Sequence, residues 1–177
     1  MTGHDSPAPA VPSAPGQWVL LSYRLPREPS TPRIAVWRKL KRLGVAQIGD
    51  GLVALPADAR TREQLEWTAE EITDVGGSAT LWIAHPAALV EEHRLTRTMA
   101  DARAAEYEGV RVQAEEARHQ PDDERQRTLR KLRAELRRIQ RRDYFPPPQR
   151  RIAEAAVEAL HPAHPSNTAS APEENSA

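Results

Sequence analysis

A run of basic residues near the N-terminus is the first feature of the sequence that could do chemistry. The stretch PRIAVWRKLKRLG, residues 32–44, contains basic side chains and no acid. Clustered Lys and Arg side chains bind phosphate groups through charge alone, without a strict spacing. The candidate nucleic-acid-binding residues in this run are Arg33, Arg38, Lys39, Lys41 and Arg42.

A helical wheel divides this run into two sides. Val36, Trp37, Leu40 and Leu43 fall on one arc, so we expect Trp37 to be buried and Lys39, on the other side, to be exposed. Three interpretations of the basic side stay open: a solvated surface, a phosphate-binding surface or a membrane-binding surface. The membrane is the least favoured, because the core already requires the apolar arc. A helix-turn-helix is excluded, since the residues that follow the run are strand-like.

A second basic segment occupies residues 125–142. It is interpreted as a solvated helix face, as a surface that docks on an acidic helix of the same or a second subunit, or as a second nucleic-acid contact. The candidate nucleic-acid-binding residues here are Arg137, Arg138, Arg141 and Arg142.

An acidic helix face is predicted over residues 61–77. Trp67 lies among its acids, opposite the apolar stripe of Leu65, Ala69 and Ile72. We expect a partner or the Arg-rich segment to cover Trp67 through cation–π contacts and ion pairs, which makes Trp67 the candidate partner-binding residue. The acids are Glu63, Glu66, Glu70, Glu71 and Asp74.

Catalytic chemistry finds no support in the sequence. The chain contains no Cys, which excludes disulfides and thiol catalysis. His85, His93 and His119 show no metal-ligand spacing. Lys+Arg and Asp+Glu are both 25, so the chain is not uniformly basic. We therefore expect that the protein is not an enzyme and uses no cofactor or metal. Because the sequence has no apolar run of membrane-span length and no start of signal-peptide type, we also expect a cytoplasmic protein.

The order of elements predicts the fold of the first part. A strand at residues 18–26 with apolar side chains on both faces is predicted to be a central strand. The basic helix, two short strands around the turn at Gly49-Asp50-Gly51, an acidic helix capped by Thr61 and a last strand follow. This α+β order, βαββαβ, predicts a ferredoxin-like sandwich: a four-stranded antiparallel sheet with two helices on one face.

The remaining sequence is predicted to be helical. Leu129, Leu132, Leu136 and Ile139 form one apolar seam, and Pro121 separates two helices that we expect to form an antiparallel hairpin. The domain prediction is a disordered tail at 1–16, the ferredoxin-like domain at 17–86, the helical hairpin extension at 87–160 and a disordered tail at 161–177.

Four stretches together carry a resemblance to a known family: WVLLSYRLPREPSTPRIAVWRKLKRLG, VALPA, EQLEWTAEEITDVGGSATLW and RIQRRDYF. Over residues 17–145 the chain resembles the N-terminal domain of the ChrB chromate-resistance family. The resemblance implies a bacterial chromate-responsive transcriptional regulator. It also implies a second domain associated with the chromate response, which we expect a separate protein to supply here.

Two functions therefore follow from the sequence. The first is a chromate-resistance-type regulatory module that binds DNA through basic helices. The alternative is a dimerising or partner-binding adaptor with no role on nucleic acid. The expected partners are DNA and either a second copy of the chain or a separate partner protein, with no membrane.

Overall fold

The computed structural model describes residues 16–161. The disordered tails expected at 1–16 and 161–177 lie outside the described residues, except for Gly16 and His161.

The sheet contains four antiparallel strands, as predicted: β1 (Trp18–Arg24), β2 (Ala46–Gly49), β3 (Leu52–Pro56) and β4 (Ser78–Ala84). Their order across the sheet is β2-β3-β1-β4. The prediction that the first strand is central is confirmed, since β1 pairs with β3 on one side and with β4 on the other.

Two helices, α1 (Ser30–Leu43) and α2 (Ala59–Asp74), accompany the sheet and pack against each other. The cap predicted for the acidic helix is wrong in its details. Asp58, not Thr61, is the N-cap of α2: its Oδ1 accepts a hydrogen bond from the Thr61 N–H at 2.7 Å. The Thr61 hydroxyl in turn accepts from the Asp58 N–H at 3.0 Å. α2 therefore starts at Ala59, before the predicted cap at Thr61. The Asp58 side chain already accepts a hydrogen bond from the backbone N–H of the third helical residue.

The rest of the described chain forms three helices: α3 (Leu89–Ala117), α4 (Asp122–Gln140) and α5 (Gln149–Glu158). The seam predicted on α4 is confirmed as buried. It packs with side chains of α3 and α5 in one apolar cluster: Tyr107, Val110, Ala114, Ala117, Leu129, Leu132, Leu136, Ile139, Ala153, Ala156, Val157 and Leu160.

The chain divides into two compact units. The first contains the chain up to Arg103 together with Arg142–Pro146, and the second contains Ala104–Arg141 and the chain from Pro147 onward. The division between the units falls within α3, after Arg103. The core of the first unit lies between the sheet and its helices, around Val19, Leu21, Leu55, Leu65 and Ile72.

Candidate nucleic-acid interface

The basic run of the sequence forms α1, and its ends follow from local chemistry. The helix starts directly after Pro29, and no side chain caps it. It ends at Gly44, as predicted, where φ is 74° and the backbone N–H bonds back to the carbonyls of Leu40 and Lys41. Glycine suits this position because the left-handed region is costly for residues with a Cβ.

α1 has one buried and one exposed side. Val36 and Leu40 are 4% and 2% exposed and belong to the core of the first unit. The exposed side presents a group of cations that, within residues 16–161, have no carboxylate at ion-pair distance. These cations are Arg33, Arg38, Lys41 and Arg42.

Lys39 does not belong to this exposed group, contrary to the prediction. Its ammonium lies 2.6 Å from the Glu71 carboxylate of α2, and its side chain is 22% exposed. The helical wheel could not show this, because a wheel does not tell which neighbour a helix packs against. Lys39 faces α2, so its charge is already neutralised.

Trp37 is also placed differently from the prediction. It is 53% exposed and does not lie in the core. The buried arc of α1 is narrower than the wheel suggested, and Trp37 lies at its margin. The Lys41 ammonium lies over the indole ring, 5.4 Å from the centroid, and Ile34 beside it is 47% exposed.

A cleft of about 1140 Å³ opens beside α1. Its lining combines the exposed Trp37 and Ile34 with guanidinium groups from the end of β1, the following loop and the first turn of α1. The Arg33 guanidinium also donates to the Arg27 carbonyl at 3.5 Å. The residues that line the cleft are Tyr23, Arg24, Leu25, Arg27, Ser30, Arg33, Ile34, Trp37, Gln47, Asp50 and Gly51.

The cleft adds residues that the sequence did not single out. Arg24 and Arg27 lie outside the basic run, so the pattern of the run does not indicate them, and the short loop between β1 and α1 brings them to the same cleft. Burial raises the pKa of the Tyr23 hydroxyl in this lining above its ordinary value. Asp50 is the one acid among the described residues that line the cleft.

The second set of predicted binding residues is divided between the two units. Arg137, Arg138 and Arg141 are exposed, but the Arg138 guanidinium lies 2.6 Å from the Glu135 carboxylate on the same helix. Arg142 belongs to the first unit. There it lies against Gly44, where a Cβ would come within 2.9 Å of the Arg142 Cβ.

The segment after α4 packs on the first unit and is not helical, although the sequence predicted that the helix would continue through it. The Tyr144 hydroxyl donates to the Leu43 carbonyl at 3.0 Å, at the end of α1. The Phe145 and Trp18 rings lie 6.0 Å apart, and the Arg60 guanidinium lies 5.6 Å from the centroid of the Tyr144 ring. The segment thus holds the C-terminal end of the basic helix in place.

The profile of one protein family matches residues 33–169, and its description is "Protein ChrB, N-terminal". The chain belongs to the ChrB N-terminal family. The match begins at the first cation of α1 and includes the Tyr144-Phe145 segment, so the family region covers both the basic helix and the segment that fixes its end. Arg24 and Arg27 precede the matched region.

One curated relative is Protein ChrB of Cupriavidus metallidurans. It is 30% identical to this chain over 134 residues, which is 75% of this chain and 39% of that protein. The chain therefore spans about two fifths of the length of this ChrB relative. No solved structure matches the chain.

Trp67, the predicted partner-binding residue, is 54% exposed in this ChrB-family chain. Its neighbours on α2 differ in their contacts. Glu66 pairs with Arg62 at 2.8 Å, whereas Glu63 and Glu70 are exposed. Thr68 is buried on the opposite side of α2, together with Leu65 and Ile72. Trp67 is therefore exposed on the acidic face of α2, and its coverage by a partner or by the Arg-rich segment stays a prediction.

Among residues 16–161 no group of three or more His, Asp or Glu side chains is placed to hold a metal ion. The helices of this part of the chain are all too short or too polar to cross a membrane.

Proposed function

We propose that this chain is a regulatory module of the chromate-resistance type that binds DNA through the exposed side of α1. Membership of the ChrB N-terminal family supports the regulatory role. The observation that carries the DNA contact is the group of cations on α1 that have no carboxylate partner within residues 16–161, next to a cleft that adds Arg24 and Arg27. This function requires no catalytic step, cofactor or metal, and with it we expect the chain in the cytoplasm.

The DNA backbone is the part of DNA that this surface fits. Guanidinium groups donate paired hydrogen bonds to phosphate oxygens and keep their charge at any physiological pH. Arg33, Arg38 and Arg42 supply such groups on α1, and Lys41 adds a point charge. Lys39 contributes little, because releasing it would break its ion pair with Glu71.

The aromatic group in the cleft distinguishes this surface from an ordinary solvated helix face. Trp37 is 53% exposed beside Arg24, Arg27 and Arg33. In nucleic-acid-binding grooves, aromatic rings stack on bases or pack on sugars while neighbouring cations hold the backbone. We therefore propose that Trp37 supplies apolar contact area and the arginines supply the charge.

The exposed arginines of α4 form a second proposed contact. Arg137 is exposed in the last turn of the helix and Arg141 is its exposed C-cap residue, where cations are also favoured by the helix dipole. Arg138 would have to leave Glu135 to contact a phosphate. We therefore expect a smaller share of the affinity from α4 than from α1.

We also infer the finer fold on which these surfaces are carried. α1 connects β1 to β2 with β3 between them, and α2 connects β3 to β4 with β1 between them. This double crossover is the reason to assign the first unit as a ferredoxin-like split βαβ sandwich. The shared core of α3 and α4 likewise supports an antiparallel hairpin.

A second candidate function rests on the acidic face of α2. Trp67 is 54% exposed between Glu63 and Glu70, and a large aromatic side chain surrounded by acids is a typical anchor for a basic partner. In this adaptor function the chain binds a basic protein segment through α2 and has no role on DNA. Trp67→Ala would then remove partner binding while α1 variants leave it unchanged.

A mobility-shift experiment on the DNA upstream of the chain's own coding region tests the proposal. We expect the wild-type chain to shift this DNA at low salt, and the variant with Arg33, Arg38, Lys41 and Arg42 changed to Gln to lose most of the shift. A matched control changes Arg94, Arg97, Arg118 and Arg127 to Gln, which removes the same charge from other exposed positions. Equal loss in both variants, or no shift by the wild type, would contradict the proposal.

A further inference from the structure

One edge of the sheet is unprotected. β4 (Ser78–Ala84) pairs with β1 along its whole length without a register shift. Its other edge has no strand partner within residues 16–161, so a row of backbone N–H and C=O groups faces outward. Such an edge is a template for another strand, and proteins normally block it with charges, proline, bulges or short length.

The opposite edge of the sheet shows how this blocking is done. β2 (Ala46–Gly49) has four residues, and its pairing with β3 shifts register between Gln47 and Gly49. β4 has seven residues, SATLWIA, and contains neither a charged residue nor a proline. The edge at β2 therefore has features that discourage pairing with another strand, whereas the edge at β4 has features that allow it.

The exposed side chains of β4 indicate what kind of element occupies this edge. Trp82 is 57% exposed and pairs across the ladder with Leu20 on one face of the sheet. Ile83 is 52% exposed and pairs with Val19 on the other face. A helix or loop on one face would leave the other apolar side chain exposed. A strand covers both, because its side chains alternate between the two faces.

We propose that β4 pairs antiparallel with β4 of a second copy of this chain, which joins two sheets into one. A pairing about a two-fold axis at Leu81, the middle of the strand, uses every residue from Ser78 to Ala84. It places Trp82 opposite Thr80 of the second copy and Ile83 opposite Ala79, so each exposed large side chain meets a small one. The absence of charge fits the same arrangement, since a two-fold contact brings identical surface patches together.

Sedimentation velocity of the full chain, with two matched variants, tests this arrangement. In the first variant, Thr80→Lys/Trp82→Lys, the two introduced lysines would face each other across the two-fold axis, and like charges directly opposite are destabilising. In the second, Thr80→Glu/Trp82→Lys, an introduced glutamate would face an introduced lysine instead. Both variants change the same exposed positions, and thermal melts by circular dichroism show whether each one folds.

We expect the wild type to dimerise, the Lys/Lys variant to dissociate with a Kd raised by about tenfold or more, and the Glu/Lys variant to recover the dimer. A monomeric wild type overturns the proposal and leaves β4 to a strand of another protein. Equal behaviour of the two variants also overturns it, since the Thr80–Trp82 contact would then be absent. Neither position lies on α1, so these outcomes are independent of DNA binding.

Discussion

α1 and α4 are both basic helices, yet the structure uses their charges differently. On α4 several cations have acidic partners: Arg138 pairs with Glu135, Arg133 with Glu158 and Arg125 with Asp122. On α1 the corresponding pairing is limited to Lys39 with Glu71 within the described residues. The number of charges in a helix therefore does not by itself predict binding, which depends on the charges that remain unpaired.

The two helices also differ in what lies beside their charges. α1 borders a cleft that contains Trp37 and two arginines from outside the helix. The arginines of α4 lie on a helix whose large apolar residues are all buried in its seam: Leu129, Leu132, Leu136 and Ile139. α1 is therefore the stronger candidate for DNA binding, because its cations that are unpaired within the described residues lie beside a cleft with an exposed aromatic ring.

The buried side of α1 should show the largest effect on stability. Leu40→Ala removes a side chain that is 2% exposed, and we expect a loss of about 2–5 kcal/mol in the free energy of unfolding. Trp37→Ala should lose only about 1 kcal/mol, as a change at a half-exposed position does. Urea unfolding measures both. A larger loss for Trp37→Ala would mean that this side chain is buried after all.

The attachment of the Tyr144 segment to α1 should have an intermediate effect. Tyr144→Phe keeps the ring but removes the hydroxyl that donates to the Leu43 carbonyl. We expect a loss of about 0.5–1.5 kcal/mol, the usual net value of such a hydrogen bond. Urea unfolding measures this loss, with Tyr23→Phe as the control. If Tyr144→Phe is as stable as the wild type, this hydrogen bond does not hold the end of α1.

The difference between Tyr144→Phe and the wild type should also depend on pH. Burial, the largest cause, raises the pKa of the Tyr144 hydroxyl above its ordinary value of 10.0. The unfolded chain therefore ionises first as the pH rises. The contribution of this group is fully present below about pH 10 and is lost as the pH rises through the folded pKa. Urea unfolding should show a smaller difference in the free energy of unfolding between the wild type and Tyr144→Phe above pH 10 than at pH 8. A larger difference above pH 10 would contradict the upward shift of the Tyr144 pKa.

The ion pairs of α4 should have the smallest effect. Arg138 and Glu135 are three residues apart on the helix surface, and exposed pairs of this kind contribute about 0.3–0.5 kcal/mol. A double-mutant cycle of Arg138→Ala and Glu135→Ala measures the coupling. A coupling energy several times larger would show that α4 depends on its charges for stability more than α1 does.

The order of elements and the buried seams could be predicted from the sequence, because each depends on local pattern. The central β1, the end of α1 at Gly44 and the seam of α4 are confirmed. These features follow from apolar periodicity and from the backbone freedom of glycine.

The surface could be predicted only in part, because it depends on what packs next to each residue. The positions of Lys39 and Trp37 are set by α2 and by the narrow buried arc of α1. Arg142 lies in the first unit because the chain leaves α4 before it. The cleft combines residues from β1, a loop, α1 and the β2–β3 turn, which no single stretch of sequence contains.

The salt dependence of DNA binding tests the central claim most directly. The slope of log K against log[salt] should fall by about 0.9 in magnitude for each phosphate contact that is lost. We expect a clear fall when Arg33, Arg38, Lys41 and Arg42 are changed to Gln, and a smaller one when Arg137, Arg138 and Arg141 are changed. Equal slopes for the wild type and the α1 variant would contradict the claim that α1 holds the DNA backbone.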